Sequence, residues 1–384
     1  MDTKIIESFA VTDNHTHPFP LTRIPAEVER SWSLTMFPSY PLNDIRNTSA
    51  FLNCSRMMCA YHGIEDVDEM LAYRKKDYES DPRAYTHALY QDANITTLLV
   101  DIGSPITNKR HTKEEMDQWW SVVKGMRIGL LNRIENVTDD LLLENLSFDD
   151  FASRLVLELK NMVERQRLIA LKSVIAYRTG LAIRPLPIAE VRKGYYAYFA
   201  NKNDREAIKV IRDYAFLQGS QVAAELDIPL QIHTGIGDCP LCDLRDHNPL
   251  LLHDALNDPH CRDTKIMLVH CGYPNVEYTA YLVAQYPNLY MDVSSMVPYA
   301  GHGVDGKLRQ ILELAPFTRV CYGSDTGCVP DLTWYAAKYF KKVLAKTLNQ
   351  LEQEGIITEN YAYKAAHMIL QENVENLYKR LAKR

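Results

Sequence analysis

The chain has 384 residues, of which 46% are hydrophobic and 24% charged, and its 16 glycines and 18 prolines are too few for a low-complexity chain. The net charge is −6 with acidic and basic residues interspersed, so there is no electrostatic reason to expect a nucleic acid or an anionic membrane as a partner. These numbers exclude disorder over most of the chain and make a small molecule the expected substrate.

The N-terminal segment MDTKIIESFAV lacks a basic stretch followed by a long apolar run, and no run of 18 apolar residues occurs anywhere. We therefore expect a cytoplasmic location without membrane insertion. The eight cysteines are irregularly spaced, which is typical of reduced thiols rather than of a disulfide framework. Cys239 and Cys242 form a CPLC pair, which could be half of a zinc knuckle or a redox pair. Because no second CxxC accompanies it, an ordinary loop is favoured.

Short β-branched apolar segments alternate with longer amphipathic ones, which indicates repeated βα units and a parallel sheet. Eight strands are predicted, at 8–14, 97–102, 127–134, 168–176, 229–233, 265–270, 289–293 and 319–324. Helices are predicted between them, for example at 147–166, where Ser147 and Asp150 form a capping-box pattern, and at 204–226. This alternation predicts an α/β fold of one domain, a (β/α)8 TIM barrel over residues 1–384.

Two segments exceed what a barrel needs. Residues 18–96 follow the first strand, carry helical patterns near 64–78 and 82–91, and are predicted to form a helical cap insertion. Residues 177–203 follow the fourth strand and are predicted to form a long ordered loop, rich in arginine and aromatic residues, that acts as a lid. Residues 331–384 are predicted to be C-terminal helices.

The strongest local motif is DNHTH at the end of the first predicted strand, which contains His15 and His17. Side chains two residues apart in a strand project to the same side, so both imidazoles can bind one metal ion. His233 and His270 end the fifth and sixth predicted strands, and Asp325 follows the eighth.

All five residues are expected at the carboxyl ends of their strands, where barrel enzymes place their chemistry. For each histidine alone, the alternative is a buried imidazole bonded to a backbone carbonyl. That alternative does not predict four imidazoles and a carboxylate at equivalent positions, so the pattern favours a metal site.

These residues resemble the amidohydrolase superfamily of metal-dependent barrel hydrolases, over about residues 8–326. The shared pattern is HxH on strand one, lysine on strand four, histidine on strands five and six, and aspartate on strand eight. The segments LKSVIAYRTGL, PLQIHTGIGD and LAPF further resemble the amidohydrolase-like domains fused to glutamine-synthetase-like domains in plant nodulins and fungal developmental proteins. We expect no synthetase half in a chain of this length.

The resemblance implies one or two divalent ions, with zinc favoured over manganese or iron. His15, His17 and Asp325 would hold one ion, and His233 would bind the same ion or a second one. His270 would be a second-metal ligand in two-metal members or an acid–base group in one-metal members.

Lys172 is the ambiguous member of the pattern. In two-metal members the strand-four lysine carries a carboxylate made from carbon dioxide and bridges the ions, whereas an unmodified lysine cannot be a ligand. Lys172 is predicted to lie early in its strand, five residues before Tyr177, which argues against bridging. The alternative is an ion pair with Asp13 or Glu135.

A metal-bound water has a pKa near 7, and Asp325 can take its proton and deliver it to a leaving group. The sequence therefore predicts hydrolysis of an amide or other C–N bond in a small carboxylate-bearing molecule, without a covalent intermediate. Arg178 and Arg184 are predicted to bind the carboxylate. Arg133, which shares a strand face with Glu135, and His302, in a glycine-rich loop after strand seven, are further candidates for substrate binding.

Two other classes remain open. A one-metal decarboxylase or sugar-acid isomerase would also use HxH, one further histidine and aspartate, although the strand-four lysine favours hydrolysis. A non-catalytic binding protein on the same scaffold is disfavoured because every metal-type residue is present. A homo-oligomer is compatible with the sequence.

Overall fold

The computed structural model describes residues 2–19, 21, 27–35, 37–103, 111–327 and 329–383. These residues contain eight strands: β1 (Val11–Thr16), β2 (Ile95–Asp101), β3 (Arg127–Arg133), β4 (Ala170–Ser173), β5 (Leu230–His233), β6 (Ile266–Val269), β7 (Leu289–Asp292) and β8 (Val320–Cys321). The strands form one sheet in the order β1 to β8, and the pairings with assigned register are parallel. Helices separate successive strands, so the fold is the predicted (β/α)8 TIM barrel.

The helices are numbered along the chain. They are α1 (Thr3–Glu7), α2 (Val28–Ser31), α3 (Leu42–Arg46), α4 (Ser49–His62), α5 (Val67–Ser80), α6 (Pro82–Asp92), α7 (Lys113–Val122), α8 (Ile134–Leu143), α9 (Phe148–Arg165), α10 (Ile175–Arg178), α11 (Ile188–Ala200), α12 (Arg205–Glu225), α13 (His253–Asn257), α14 (Pro259–Arg262), α15 (Val276–Gln285), α16 (Met296–Tyr299), α17 (Gly303–Leu314), α18 (Pro330–Gln353), α19 (Glu359–His367) and α20 (Asn373–Leu377). Among these described residues, no helix is both long enough and apolar enough to cross a bilayer.

The chain divides into two compact units. The first comprises Met1–Val100, His111–Ile128 and Asp292–Val374, and the second comprises Asp101–Arg110, Gly129–Met291 and Glu375–Arg384. The first unit therefore contains β1 and β8, and the second contains β4, β5 and β6. The single-domain organisation stays a prediction.

In the first unit, the insertion after β1 is helical as predicted. The patterns near 64–78 and 82–91 correspond to α5 and α6, and α4 is an additional helix that the sequence analysis missed. α4 begins after Thr48, whose side chain accepts the Phe51 N–H, and ends at Gly63 in the left-handed conformation (φ 68°). The insertion is joined to α18 by a buried ion pair between Arg74 and Asp331.

Lys341 on α18 fixes the chain segments that enter β1 and β2. Its ammonium is buried and donates to the carbonyl oxygens of Glu7, Phe9 and Ala93 at 3.1, 2.7 and 2.8 Å. One side chain thus satisfies three backbone acceptors that lie just before the first two strands.

In the second unit, the predicted strand at 168–176 is too long. β4 ends at Ser173, because Val174 leaves the extended conformation (φ −113°, ψ 29°) and α10 begins at the next residue. The Ser173 hydroxyl and the Val174 N–H both donate to Glu135 Oε1, at 2.7 and 3.0 Å, which stabilises this turn. Lys172 is therefore the penultimate residue of β4 and not an early one.

Ser147 is the N-cap of α9, since its side chain accepts the Asp150 N–H, and its hydroxyl donates to Asp150 Oδ2 at 2.6 Å in place of the reciprocal bond of a capping box. The prediction of a long loop at 177–203 is wrong, because α11 occupies about half of this segment. α11 packs against α12 closely enough that a Cβ on Gly194 would lie 2.7 Å from Val210 Cγ1. The aromatic run packs within the fold, and Tyr195 is buried with its hydroxyl donating to the Leu146 carbonyl at 3.0 Å.

Candidate functional site

A close cluster of three potential metal ligands lies in the first unit. His15 is on β1, His17 follows the end of that strand, and Asp325 follows β8. Oδ1 of Asp325 lies 3.3 Å from Nε2 of His15 and 3.2 Å from Nε2 of His17. In the described part of the chain, this is the one group of at least three histidine, cysteine or acidic side chains whose ligand atoms lie within 4.8 Å of one another.

This donor set fits a divalent metal ion. Zinc binds histidine nitrogen and carboxylate oxygen at about 2.0–2.2 Å, so two such ligands in a tetrahedral arrangement lie about 3.3–3.6 Å apart. The two nitrogen–oxygen distances in the cluster, 3.3 and 3.2 Å, are close to the lower end of that range. His15 is buried, whereas the His17 side chain is 27% exposed, so one side of the cluster faces solvent.

Backbone hydrogen bonds lock the two ligand-bearing segments together. The Asp325 N–H donates to the His15 carbonyl at 2.7 Å, and the His17 N–H donates to the Thr326 carbonyl at 2.9 Å. Asp325 has a φ of +56°, which non-glycine residues seldom adopt and which concentrates at functional sites. The position of the Asp325 carboxylate is therefore fixed by its backbone as well as by its side chain.

Asp13 supports the same two segments from within the core. Its carboxylate accepts the Ser324 N–H at 2.9 Å, the Ser324 hydroxyl at 2.5 Å and the His15 N–H at 3.2 Å. Burial raises the pKa of Asp13 to about 7, against the lowering effect of these hydrogen bonds. Asp13 thus links β1 to the residue before Asp325.

Ser295 is a further member of the cluster that the sequence analysis missed. Its hydroxyl donates to Oδ2 of Asp325, and its N–H donates to the Ser324 carbonyl at 3.2 Å. Two consecutive serines after a strand match no sequence motif, so Ser295 could not be identified as a site residue from the sequence. His302, the other predicted residue of this unit, is exposed directly before α17, and its role in substrate binding stays a prediction.

In the second unit, four predicted residues lie at the carboxyl ends of neighbouring strands. Arg133 ends β3 and pairs in register with Lys172 on β4, while His233 ends β5 beside Val269 of β6. His270 follows β6 directly and has a φ of +70°. The strand-end positions of Arg133, His233 and His270 agree with the sequence prediction, whereas Lys172 was predicted earlier in its strand. The ligand roles of Lys172, His233 and His270 stay predictions.

His233 and His270 contact each other, with ring centroids 4.4 Å apart. Nε2 of His233 lies 2.8 Å from the Ile236 carbonyl, which is the contact expected for a carbonyl-bonded histidine. A neutral imidazole that donates through Nε2 carries its acceptor lone pair on Nδ1. The carbonyl contact therefore sets the tautomer of His233 and is compatible with metal binding through Nδ1.

Tyr177 and His247 enclose His233 on its other sides. The Tyr177 ring lies 4.6 Å from the His233 ring and 4.8 Å from the His247 ring, centroid to centroid. The Tyr177 hydroxyl donates to Asp238 Oδ2 at 2.8 Å, which fixes the loop after β5. His247 is buried, and burial lowers its pKa, so it is a neutral packing partner that the sequence analysis did not identify.

The predicted arginines differ in their surroundings. Arg133 is buried and donates to Asp101 Oδ2 at 2.8 Å, and Arg184 pairs with Glu206 at 2.6 Å and with Asp213 at 3.3 Å. Both guanidinium groups therefore already bind carboxylates of the chain.

Arg178 ends α10, where burial lowers its pKa, with a further contribution from the positive charge of Arg212. Glu135, predicted on strand three, is instead the second residue of α8, because β3 ends at Arg133. Its carboxyl is buried, and burial raises its pKa. Substrate binding by the three arginines stays a prediction.

Residues 203–380 match the family model of the amidohydrolases. Over 223 residues the chain is 29% identical to the protein fluG of Emericella nidulans, a match that covers 55% of this chain and 25% of that protein. The chain thus spans about a quarter of the length of this curated relative.

Solved structures share the fold over nearly the whole chain. A Lactobacillus casei protein described as a metal-dependent hydrolase superposes with a TM-score of 0.82 at 24% identity, covering 99% of this chain and 98% of its own. The glucuronate isomerase of Caulobacter crescentus superposes with a TM-score of 0.70 at 14% identity, covering 98% and 92%. The uronate isomerase of Thermotoga maritima gives 0.68 at 13% identity, covering 98% and 96%.

Proposed function

We propose that the chain is a zinc-dependent hydrolase of the amidohydrolase family, whose model residues 203–380 match. Its substrate is a small carboxylate-bearing molecule in which it cleaves an amide or other C–N bond. The observation that carries the proposal is the cluster of His15, His17 and Asp325, in which Asp325 Oδ1 lies 3.3 and 3.2 Å from the two imidazole Nε2 atoms and all three ligand atoms lie within 4.8 Å of one another.

When bound, a divalent ion supplies Lewis acidity and lowers the pKa of a water molecule toward 7. His15 and His17 would hold the ion through their Nε2 atoms, and neither is assigned a part in proton transfer. Asp325 would be the proton carrier: its carboxylate would accept a proton from the attacking water and deliver it to the leaving amine. With metal binding assigned to the two histidines and proton transfer to Asp325, no side chain of the protein has to act as a nucleophile.

The second unit supplies the remaining proposed roles. His233 and His270 act as additional ligands, or His270 acts as an acid–base group if one ion is bound. Lys172 would be a further metal ligand if its amine were carboxylated. Arg178 binds the substrate carboxylate, because a guanidinium with two parallel donors matches that group better than an ammonium does.

The proposal is tested first without a substrate. The purified chain is stripped with a chelator, incubated with excess zinc, desalted and analysed for metal by mass spectrometry. At least one zinc ion per chain is expected for the wild type. The same is expected for the control variant His253→Ala, because His253 is an exposed residue on α13. The variants His15→Ala and His17→Ala should lose most of the bound zinc. Zinc below about a tenth of an ion per chain in the wild type refutes the proposal.

The second test is a substrate screen with N-acyl amino acids, γ-glutamyl amides and uronic acids. Metal-dependent release of an amine supports the proposal. Turnover of uronic acids alone would instead assign the chain to the isomerase alternative, and turnover only of neutral or cationic amides would refute carboxylate recognition.

A further inference from the structure

Ser295 occupies an unusual turn directly after β7. Its φ and ψ are +56° and −42°, and the Met296 N–H bonds back to the Ser294 carbonyl at 2.6 Å. A hydrogen bond across one residue with a positive φ defines a γ-turn of the rare, strained kind. Such strain persists only where the surroundings impose it, and it concentrates at functional sites.

The turn aims the Ser295 side chain at the proposed metal site. Ser295 is buried, its hydroxyl donates to Oδ2 of Asp325, and its N–H donates to the carbonyl of Ser324 at 3.2 Å. Oδ1, the other oxygen of the same carboxylate, is the atom that lies 3.2–3.3 Å from the two imidazole nitrogens. The two oxygens of Asp325 therefore have different partners.

We infer that Ser295 is a positioning residue: its hydroxyl holds Oδ2 of Asp325 so that Oδ1 is the oxygen presented to the ion bound by His15 and His17. The inference rests on the proposed metal site and adds to it the residue that orients its carboxylate. Groups that orient metal ligands in this way influence metal affinity by about 10- to 100-fold.

Ser294, the preceding residue, offers a matched control. Its hydroxyl and its N–H donate to Oδ1 of Asp292, at 2.5 and 3.0 Å. It is buried like Ser295 and binds a carboxylate in the same way, but its partner is not one of the three proposed ligands. A general loss of packing would affect both serines, whereas orientation of a metal ligand involves Ser295.

The test compares zinc affinity, by competition with a chromophoric chelator, in the wild type, Ser295→Ala, Ser295→Gly and Ser294→Ala. Ser295→Ala removes the hydroxyl and keeps the Cβ. Ser295→Gly removes the hydroxyl and also relieves the positive φ, which glycine adopts without steric cost. Visible absorption of the cobalt-loaded proteins reports the ligand geometry, and thermal unfolding of the metal-free proteins reports folding.

We expect zinc to bind about tenfold or more weakly in both Ser295 variants, with an altered cobalt spectrum, and within about threefold of the wild type in Ser294→Ala. Zinc affinity within about threefold of the wild type in both Ser295 variants overturns the inference while leaving the proposed function intact. An equal loss in Ser294→Ala also overturns it, because the effect would then be general. Failure of the wild type itself to bind metal overturns the proposed function, and the inference with it.

Discussion

Breaking the buried ion pair between Arg74 on α5 and Asp331 on α18 should strongly destabilise the first unit. Both side chains are at most 1% exposed. Arg74 donates to Oδ1 and Oδ2 of Asp331 at 3.0 and 2.5 Å, and the Tyr85 hydroxyl donates to Oδ1 at 2.6 Å. The carboxylate is thus bound by three donors and has no contact with solvent.

Removing one partner leaves the other as a buried, poorly paired charge. Arg74→Met leaves the Asp331 carboxylate with Tyr85 as its remaining described side-chain donor, and the expected cost is about 3–5 kcal/mol of unfolding free energy. Asp331→Leu leaves the guanidinium unpaired, with a similar cost. The double variant removes both charges, so its cost should be well below the sum, about 2 kcal/mol or less.

Urea unfolding followed by circular dichroism provides these free energies. Lys160→Met is the control, because Lys160 pairs with Glu225 at 2.7 Å while both side chains are about 40% exposed, and such pairs contribute about 1 kcal/mol or less. Single variants that each cost less than about 1 kcal/mol, or costs that simply add in the double variant, would refute the reasoning.

Four further outcomes are expected. Asp325→Asn should lower turnover by about 100-fold or more with an unchanged circular dichroism spectrum, and near-normal turnover would contradict its role as proton carrier. Arg178→Lys should raise KM, because an ammonium cannot make the bidentate contact, and unchanged kinetic constants would count against carboxylate binding there. Lys341→Met should lower the unfolding free energy by about 3 kcal/mol or more, because it leaves three buried carbonyl groups unpaired, and a loss below about 1 kcal/mol in urea would show that they find other donors. Burial raises the pKa of Tyr195 from 10.0 to about 12, so stability should fall between pH 10 and 12, where the unfolded chain loses a proton that the folded chain keeps, and an identical pH slope in Tyr195→Phe would exclude this tyrosine as the cause.

The barrel could be predicted because its signal is periodic and repeated. Eight apolar segments between amphipathic ones specify βα units even when individual ends are displaced, as at β1, which begins at Val11 and not at residue 8. The strand predicted at 168–176 was too long because a contact with a residue distant in sequence ends β4. The residues after Ser173 are apolar and β-branched, but Glu135, 38 residues away, binds Ser173 and turns the chain into α10.

Part of the candidate site could also be predicted from the sequence. The HxH spacing and the aspartate after the last strand predicted His15, His17 and Asp325 as ligands of one ion, and the structure places their ligand atoms together. Ser295 could not be predicted, because its contact with Asp325 depends on a γ-turn that no residue pattern specifies. α11 was missed because Gly194 and a continuous aromatic run obscure its helical period, although Gly194 is required by the close approach to Val210.

The locking of β1 to the segment after β8 has a consequence for how the protein is made. His15 and His17 leave the ribosome about 310 residues before Asp325, and at about 5–20 residues per second that interval is on the order of 15–60 s. During this time the two histidines lack both the carboxylate and the backbone bonds that fix them. A metal ion held by all three residues would therefore be acquired only after Asp325 has been synthesised, and metal uptake would report the folding of the segment after β8 onto β1.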